Sequence, residues 1–241
     1  DVLQIANFAH FDKTNSKEDY KLRPIFIVGV PRTGSTMIEK IIGSGKTQTP
    51  MGEETGILEK YLTQRILKKK SLNLGNVEEA RKDLYDIYKA KGLVLDENSI
   101  FTDKSLNNFF YINLIKLVFP NAKIVNCRRN PISSICSIFQ NNLTELSWAH
   151  DLENIFKYID NYFQIMENFK SKYSNFIYDL QFEEFTNNPE TESKYLMKIC
   201  NLEWDKKCLD FYQRKDIISK TTSYQQIRKA VYKHPSDRYS P

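Results

Sequence analysis

The sequence is poor in the residues on which metal and thiol chemistry depend. Its three histidines (His10, His150, His234) are scattered, and its four cysteines (Cys127, Cys136, Cys200, Cys208) include no C-x-x-C pair. Neither a zinc ligand set nor a dithiol motif is present, so reduced structural cysteines and no metal are expected. No apolar run reaches the roughly 20 residues of a membrane-spanning helix. The first residues lack the basic-then-apolar layout of a signal peptide, which predicts a cytoplasmic location, although the chain opens at Asp1 and stops at Pro241 as an excised portion of something longer would. Internal repeats and low-complexity segments are missing too. The net charge of +5 is compatible with an anionic ligand but too small and dispersed to mark a nucleic-acid surface. The one basic run, Lys68-Lys69-Lys70, reads as a solvated helix end. Oligomeric state is not legible.

What is present is globular: 241 residues, 41% hydrophobic and 13% aromatic, enough for one domain with a full core. Strands are predicted at 25–30, 99–102, 122–127 and 176–180. Helices are predicted from Met37, over 53–67, 77–92 and 108–119, from Pro131, and over 148–171, 189–201 and 205–214. Residues 1–22 read as a linker or the end of a preceding segment. Strands alternating with helices imply an α/β fold with a central parallel sheet flanked by helices. Ligands bind such sheets at the strands' carboxyl ends, where Arg32 and Arg129 fall.

The chain is organised around residues 24–44. An apolar, β-branched run breaks at Pro31, passes Gly34, and leads into Met37, Ile38, Ile41 and Ile42 at helical spacing. Strand, tight turn and helix together aim the helix's first N–H groups and its dipole at whatever sits above the turn. An ordinary strand-to-helix turn has the same outline, but the spacing Gly29-x-x-x-x-Gly34-Ser35-Thr36 is that of a phosphate loop. Ser35 stands where an ATPase or GTPase carries its lysine, which argues against triphosphate hydrolysis. Arg32 supplies a positive fork within the loop instead.

These segments resemble those of the sulfotransferases. Pro31-Arg32-Thr33-Gly34-Ser35-Thr36 is similar to their 5′-phosphosulfate loop, and Arg129-Asn130-Pro131, with Ser137 eight residues beyond Arg129, to their 3′-phosphate motif. Thr221 to Arg228 and Leu202-Glu203-Trp204-Asp205 resemble segments of bacterial sulfotransferases that follow tetratricopeptide repeats. Gly52-Glu53-Glu54-Thr55 resembles a run in the tyrosylprotein sulfotransferases, and Asp103-Lys104 their lysine segment. The resemblance extends over about residues 22–235. It implies a P-loop-like three-layer fold, a single sulfotransferase domain over 23–241, and sulfuryl transfer from 3′-phosphoadenosine 5′-phosphosulfate (PAPS) to an acceptor hydroxyl, leaving adenosine 3′,5′-bisphosphate.

The implied roles follow residue by residue. Arg32, Thr33, Gly34, Ser35 and Thr36 would hold the 5′-phosphosulfate, and Arg129 and Ser137 the 3′-phosphate. Ser223 and Arg228 would close over the nucleotide, with Lys229 an alternative to Arg228. Lys104 would meet charge on the departing oxygen. Glu53 would take the hydroxyl proton, with Glu54 the alternative; either is also a plausible helix-start acid. Arg128 is the alternative to Arg129. A sulfuryl group carries less charge than a terminal phosphoryl group, so positioning and fixed dipoles suffice without Mg²⁺. The sequence departs from its relatives at Phe182, where they often have tyrosine, at Ser105-Leu106 after the lysine, and at Gly56, where the tyrosylprotein enzymes have arginine. The acceptor stays open among peptide tyrosine, carbohydrate and small molecules. The competing readings are an ATP-dependent P-loop kinase and a non-catalytic nucleotide- or sulfate-binding module.

Overall fold

A computed structural model of the chain describes residues 10–12, 21–141 and 143–214. Its centre is a four-stranded parallel sheet built from β2 (Arg23–Gly29), β4 (Ile100–Asp103), β5 (Lys123–Arg128) and β6 (Ile177–Gln181), in the order β4-β2-β5-β6. Phe26 pairs with Ile124, Ile27 with Val125 and Gly29 with Cys127. β2 therefore has partners along both edges, and Pro24 to Gly29 are all buried. A strand covered on both faces needs no polar alternation, which explains the uninterrupted apolar run.

Alternation survives instead as a division between two cores. Phe26 and Val28 face the larger one, packed with α2 (Ile57–Lys69), α3 (Val77–Ala90), α4 (Ile112–Val118), α5 (Pro131–Gln140) and α6 (Leu152–Lys172). Ile25 and Ile27 face a smaller core, made with α1 (Ser35–Gly43), α7 (Phe182–Asn187), α8 (Pro189–Ile199) and the turns after Cys200. Helices, sheet and helices form three layers, as expected.

Several local expectations are corrected. The helix expected over 53–67 starts at Ile57, because Gly56 takes a left-handed φ of 59° just before it. The 108–119 segment is a 3₁₀ turn, Leu106–Tyr111, followed by a short α-helix, and 205–214 holds two 3₁₀ turns. A two-stranded parallel pair, β1 (His10–Asp12) with β3 (Asn73–Asn76), was not anticipated. It brings Phe11, from the stretch read as linker, into the larger core. The four cysteines are unpaired. Among the described residues, no helix is long and apolar enough to cross a membrane.

Candidate active site

The site lies where the sheet's carboxyl ends meet the loops that follow them. β2 stops at Gly29, so close to β5 that an added Cβ would lie 2.7 Å from the Cys127 carbonyl oxygen. The loop then winds tightly. Arg32 and Gly34 have φ of 72° and 87°, and the Thr33 hydroxyl donates to the Val30 carbonyl at 2.8 Å. A non-glycine residue held in the left-handed region stores about 1–3 kcal/mol of strain, a state found most often at functional positions. Gly34 is the N-cap of α1 and no side chain caps the helix, leaving the orphan N–H groups of its first turn to solvent or ligand.

Arg32 joins this loop to the second motif. Its Nε donates to Ser137 Oγ (3.1 Å), and its carbonyl accepts from Arg129 Nη1 (2.9 Å). Asn130 starts α5 by accepting from the Ser133 N–H (3.1 Å), with Pro131 at the first turn, and this sets Ser137 on the face toward Arg32. The Arg129 guanidinium lies 4.9 Å over the Phe182 ring, and a Cβ on Gly34 would sit 2.5 Å from that ring's Cδ2. Phe182 thus packs the two motifs together. Arg128 turns elsewhere, donating to Asp179 (3.3 Å) and lying over Phe163.

The other side of the site is built on β4. Lys104, just past it, is fully buried, and its Nζ donates to Glu54 Oε1 at 2.6 Å. Asp103 fixes the surrounding backbone. Its Oδ2 accepts from Thr55 Oγ1 (2.7 Å) and the Tyr88 hydroxyl (2.8 Å), and its Oδ1 from Ser105 N–H (2.9 Å) and Asn108 Nδ2 (3.2 Å). A buried carboxylate with this many donors is well satisfied. Glu53, at a φ of 51°, spends its backbone on the same scaffold: its N–H donates to Glu39 Oε1 (2.9 Å) and its carbonyl accepts from Lys104 N–H (2.8 Å). Glu39, on α1 and 1% exposed, also accepts from Thr102 Oγ1 at 2.7 Å. Burial pushes its carboxyl up to about 7, against the downward pull of Lys104.

Between the two sides is a cleft of about 360 Å³. Arg32, Ser35 and Thr36 line it from the loop, Glu54 and Ser105 from the β4 side, and Trp148 and Tyr158 from the larger helical layer. Of the two adjacent glutamates, Glu54 lines the cleft and pairs with Lys104, whereas Glu53 is tied into the turn behind that pairing by its main chain. The structure sets Arg32, Ser35, Thr36 and Glu54, the alternative to Glu53, on the cleft, with Ser137 and Arg129 bonded to Arg32 and Lys104 bonded to Glu54. Ser223 and Arg228 lie outside the described residues. Sequence reading passed over Glu39, and noted Phe182 only as a departure from the tyrosine common in relatives, with no role assigned. Glu39 was visible as an acid among Ile38, Ile41 and Ile42; nothing in the sequence indicated that Phe182 would pack against Gly34 and Arg129.

Residues 24–206 match the model of the sulfotransferase family, 183 of the 241 positions. An uncharacterized protein of Aquifex aeolicus (strain VF5) is 30% identical over 231 residues, which are 90% of this chain but 30% of that protein; the chain thus spans less than a third of that relative. The solved sulfotransferase domain from the olefin synthase of Synechococcus PCC 7002 aligns with a TM-score of 0.62 at 17% identity, over 94% of this chain and 90% of its own. The sulfotransferase domain from the curacin biosynthetic pathway gives 0.62 at 16% identity over 89% of each chain. A sulfotransferase from Alicyclobacillus acidocaldarius gives 0.51 at 16% identity, over 79% of this chain and 89% of that one. The structural likenesses speak for the fold, and the match along most of the sequence speaks for descent: the chain belongs to the sulfotransferase family.

Proposed function

We propose that the chain transfers a sulfuryl group from PAPS to an acceptor hydroxyl by in-line displacement. The observation that carries this reading is that Glu54, held by the buried Lys104 behind it, lines the same cleft as the phosphate-type loop. The first-turn N–H groups of α1 and Arg32 are suited to the 5′-phosphosulfate, and Arg129 and Ser137 to the 3′-phosphate. Arg129 comes with its guanidinium supported on Phe182. In the transfer, the acceptor's O–S bond forms as the bridging S–O bond breaks. Glu54 takes the hydroxyl proton as that oxygen attacks, in the role first expected of Glu53. Lys104 meets the negative charge left on the departing phosphate oxygen. A buried lysine suits this task, because a cation screened from water acts more strongly on developing charge. A cytoplasmic location is proposed on the cellular origin of the donor.

The test separates binding from turnover. Glu54→Gln and Lys104→Met are expected to lower kcat by two to four orders of magnitude, while thermal stabilisation by adenosine 3′,5′-bisphosphate persists in both. Glu53→Gln is expected to cost less than about tenfold, since the backbone bonds of residue 53 survive the change. Normal turnover in Glu54→Gln with loss in Glu53→Gln would return the base to Glu53. Normal turnover in all three would refute the mechanism.

A further inference from the structure

The part of the cleft away from the loop has, among the described residues, charge of one sign. Among the described residues lining the cleft, Arg32 is the one cation, and it is engaged with Ser137 on the loop side. The remaining wall carries Glu59 and Glu145 beside Leu143, Leu146, Trp148 and Tyr158. Trp148 and Tyr158 form a flat stacked pair, with centroids 3.8 Å apart and planes 9° from parallel. The Tyr158 hydroxyl donates to Asn107 Oδ1 (3.2 Å), and Asn107 Nδ2 lies 3.5 Å from Glu59 Oε2, which ties the carboxylate to the aromatic wall. The negative field of Glu59 reaches inward, raising the pKa of both Tyr158 and Tyr111, in each case after burial as the larger cause. Glu54, the third lining carboxylate, is balanced by Lys104. Among the described residues, no lysine lines the wall beside Glu59 and Glu145.

An acceptor has to place its hydroxyl at Glu54 and its body along this wall. An aromatic or apolar face gains contact with Leu143, Leu146 and the Trp148–Tyr158 pair, as concave sites lined by aromatic side chains generally provide. A carboxylate or sulfate on the acceptor would meet the half-buried Glu59, with the exposed Glu145 at the rim, and like-charge repulsion there gives discrimination. A protonated amine there would be drawn both to the carboxylates and to the aromatic faces. From this wall, and resting on the sulfotransferase reading of the same cleft, we infer that the acceptor is a small hydroxyl compound with an apolar or aromatic face and no negative charge, and that a protonated amine improves it. Acidic tyrosine peptides are correspondingly disfavoured.

The test is sulfuryl transfer from PAPS to two matched sets of small acceptors. One set is 4-methylphenol, tyramine and 4-hydroxyphenylacetate; the other is a neutral methyl glycoside, its amino-sugar analogue and its uronic acid analogue. A tyrosine peptide flanked by aspartates is the macromolecular comparison. In whichever set reacts, kcat/KM for the neutral and amine members is expected to exceed that for the acid by at least tenfold. Glu59→Gln and Glu145→Gln are expected to narrow the ratio between amine and acid, a change that simple loss of packing would not produce. Preference for the acid or the acidic peptide would overturn the inference, as would a ratio unmoved by both substitutions. Stabilisation by adenosine 3′,5′-bisphosphate without turnover of either set would overturn it while leaving the nucleotide reading intact. Absence of both stabilisation and turnover would bring down the sulfotransferase reading itself.

Discussion

At the scale of single residues, Glu39 sets a pH dependence that runs opposite to that of most surface carboxylates. Its folded pKa of about 7 stands above the ordinary 4.5. The folded state therefore holds a proton that the unfolded chain releases. The associated stability is fully present below pH 4.5 and is lost as pH rises through 7, a swing on the order of 3 kcal/mol. Lys104 opposes the shift and Glu53 adds to it, while Thr102 and the Glu53 N–H donate to the carboxyl. Glu39→Gln keeps an acceptor oxygen for both donors. It is expected to flatten the decline between pH 5 and 8 and to be the more stable protein at pH 8, as read from urea midpoints. An unchanged pH profile would refute this account. The same neighbourhood shows where sequence reading reaches its limit. Glu53 and Glu54 are adjacent acids of one type; the left-handed φ of 51° at Glu53 and the Lys104 bond to Glu54 set which carboxylate lines the cleft, and neither is visible in the sequence. Arg32, Arg129 and Ser137 were legible because their spacing is fixed to strand ends and helix turns, whereas Lys104 was singled out only through the resemblance of its segment.

At the scale of elements, the loop helix and α7 meet through Gly34 and Phe182. Alanine at Gly34 would have to adopt a φ of 87° and displace an aromatic ring that supports Arg129. The backbone term alone is about 1–2 kcal/mol, and the ring contact adds to it. Gly34→Ala is expected to cost about 2–3 kcal/mol and to weaken bisphosphate binding. Adding Phe182→Leu should cost less than the sum of the single changes, because the displaced ring is then gone. Additivity in thermal melts would mean that the two elements do not press on each other there. The main-sheet strands were readable as short apolar β-branched runs. β3, Asn-Leu-Gly-Asn, was not, because it has no such residues and takes its place by pairing with β1. The start of α2 was misplaced because acids before a helix and acids in its first turn look alike until Gly56 is seen to break the winding.

At the scale of the molecule, the two cores share every interior strand. Trp148 packs against the larger core and Trp204 against the smaller one, where its Nε1 donates to Ser193 Oγ at 2.9 Å. Single-tryptophan proteins, Trp148→Phe and Trp204→Phe, are expected to unfold at coincident midpoints, because neither layer can part from β2 without exposing the other. Separated midpoints would show two independent units. Ligand linkage acts on the same whole. Adenosine 3′,5′-bisphosphate at a hundredfold excess over Kd should stabilise the fold by about 2.7 kcal/mol, and ATP with Mg²⁺ should do much less. The reverse order would favour a kinase.

The double pairing of β2 also acts as a clock. Its residues pair with β4 over 23–26 and with β5 over 25–29 and are buried on two faces, so its amides are expected to trade hydrogen with solvent only when the whole domain opens. The turn from Gly52 to Gly56 is held by a few bonds to Thr102, Glu39, Lys104 and Ser105, and is expected to exchange faster than the strand, by local opening. The strand therefore times the life of the fold, and the turn times the readiness of the site.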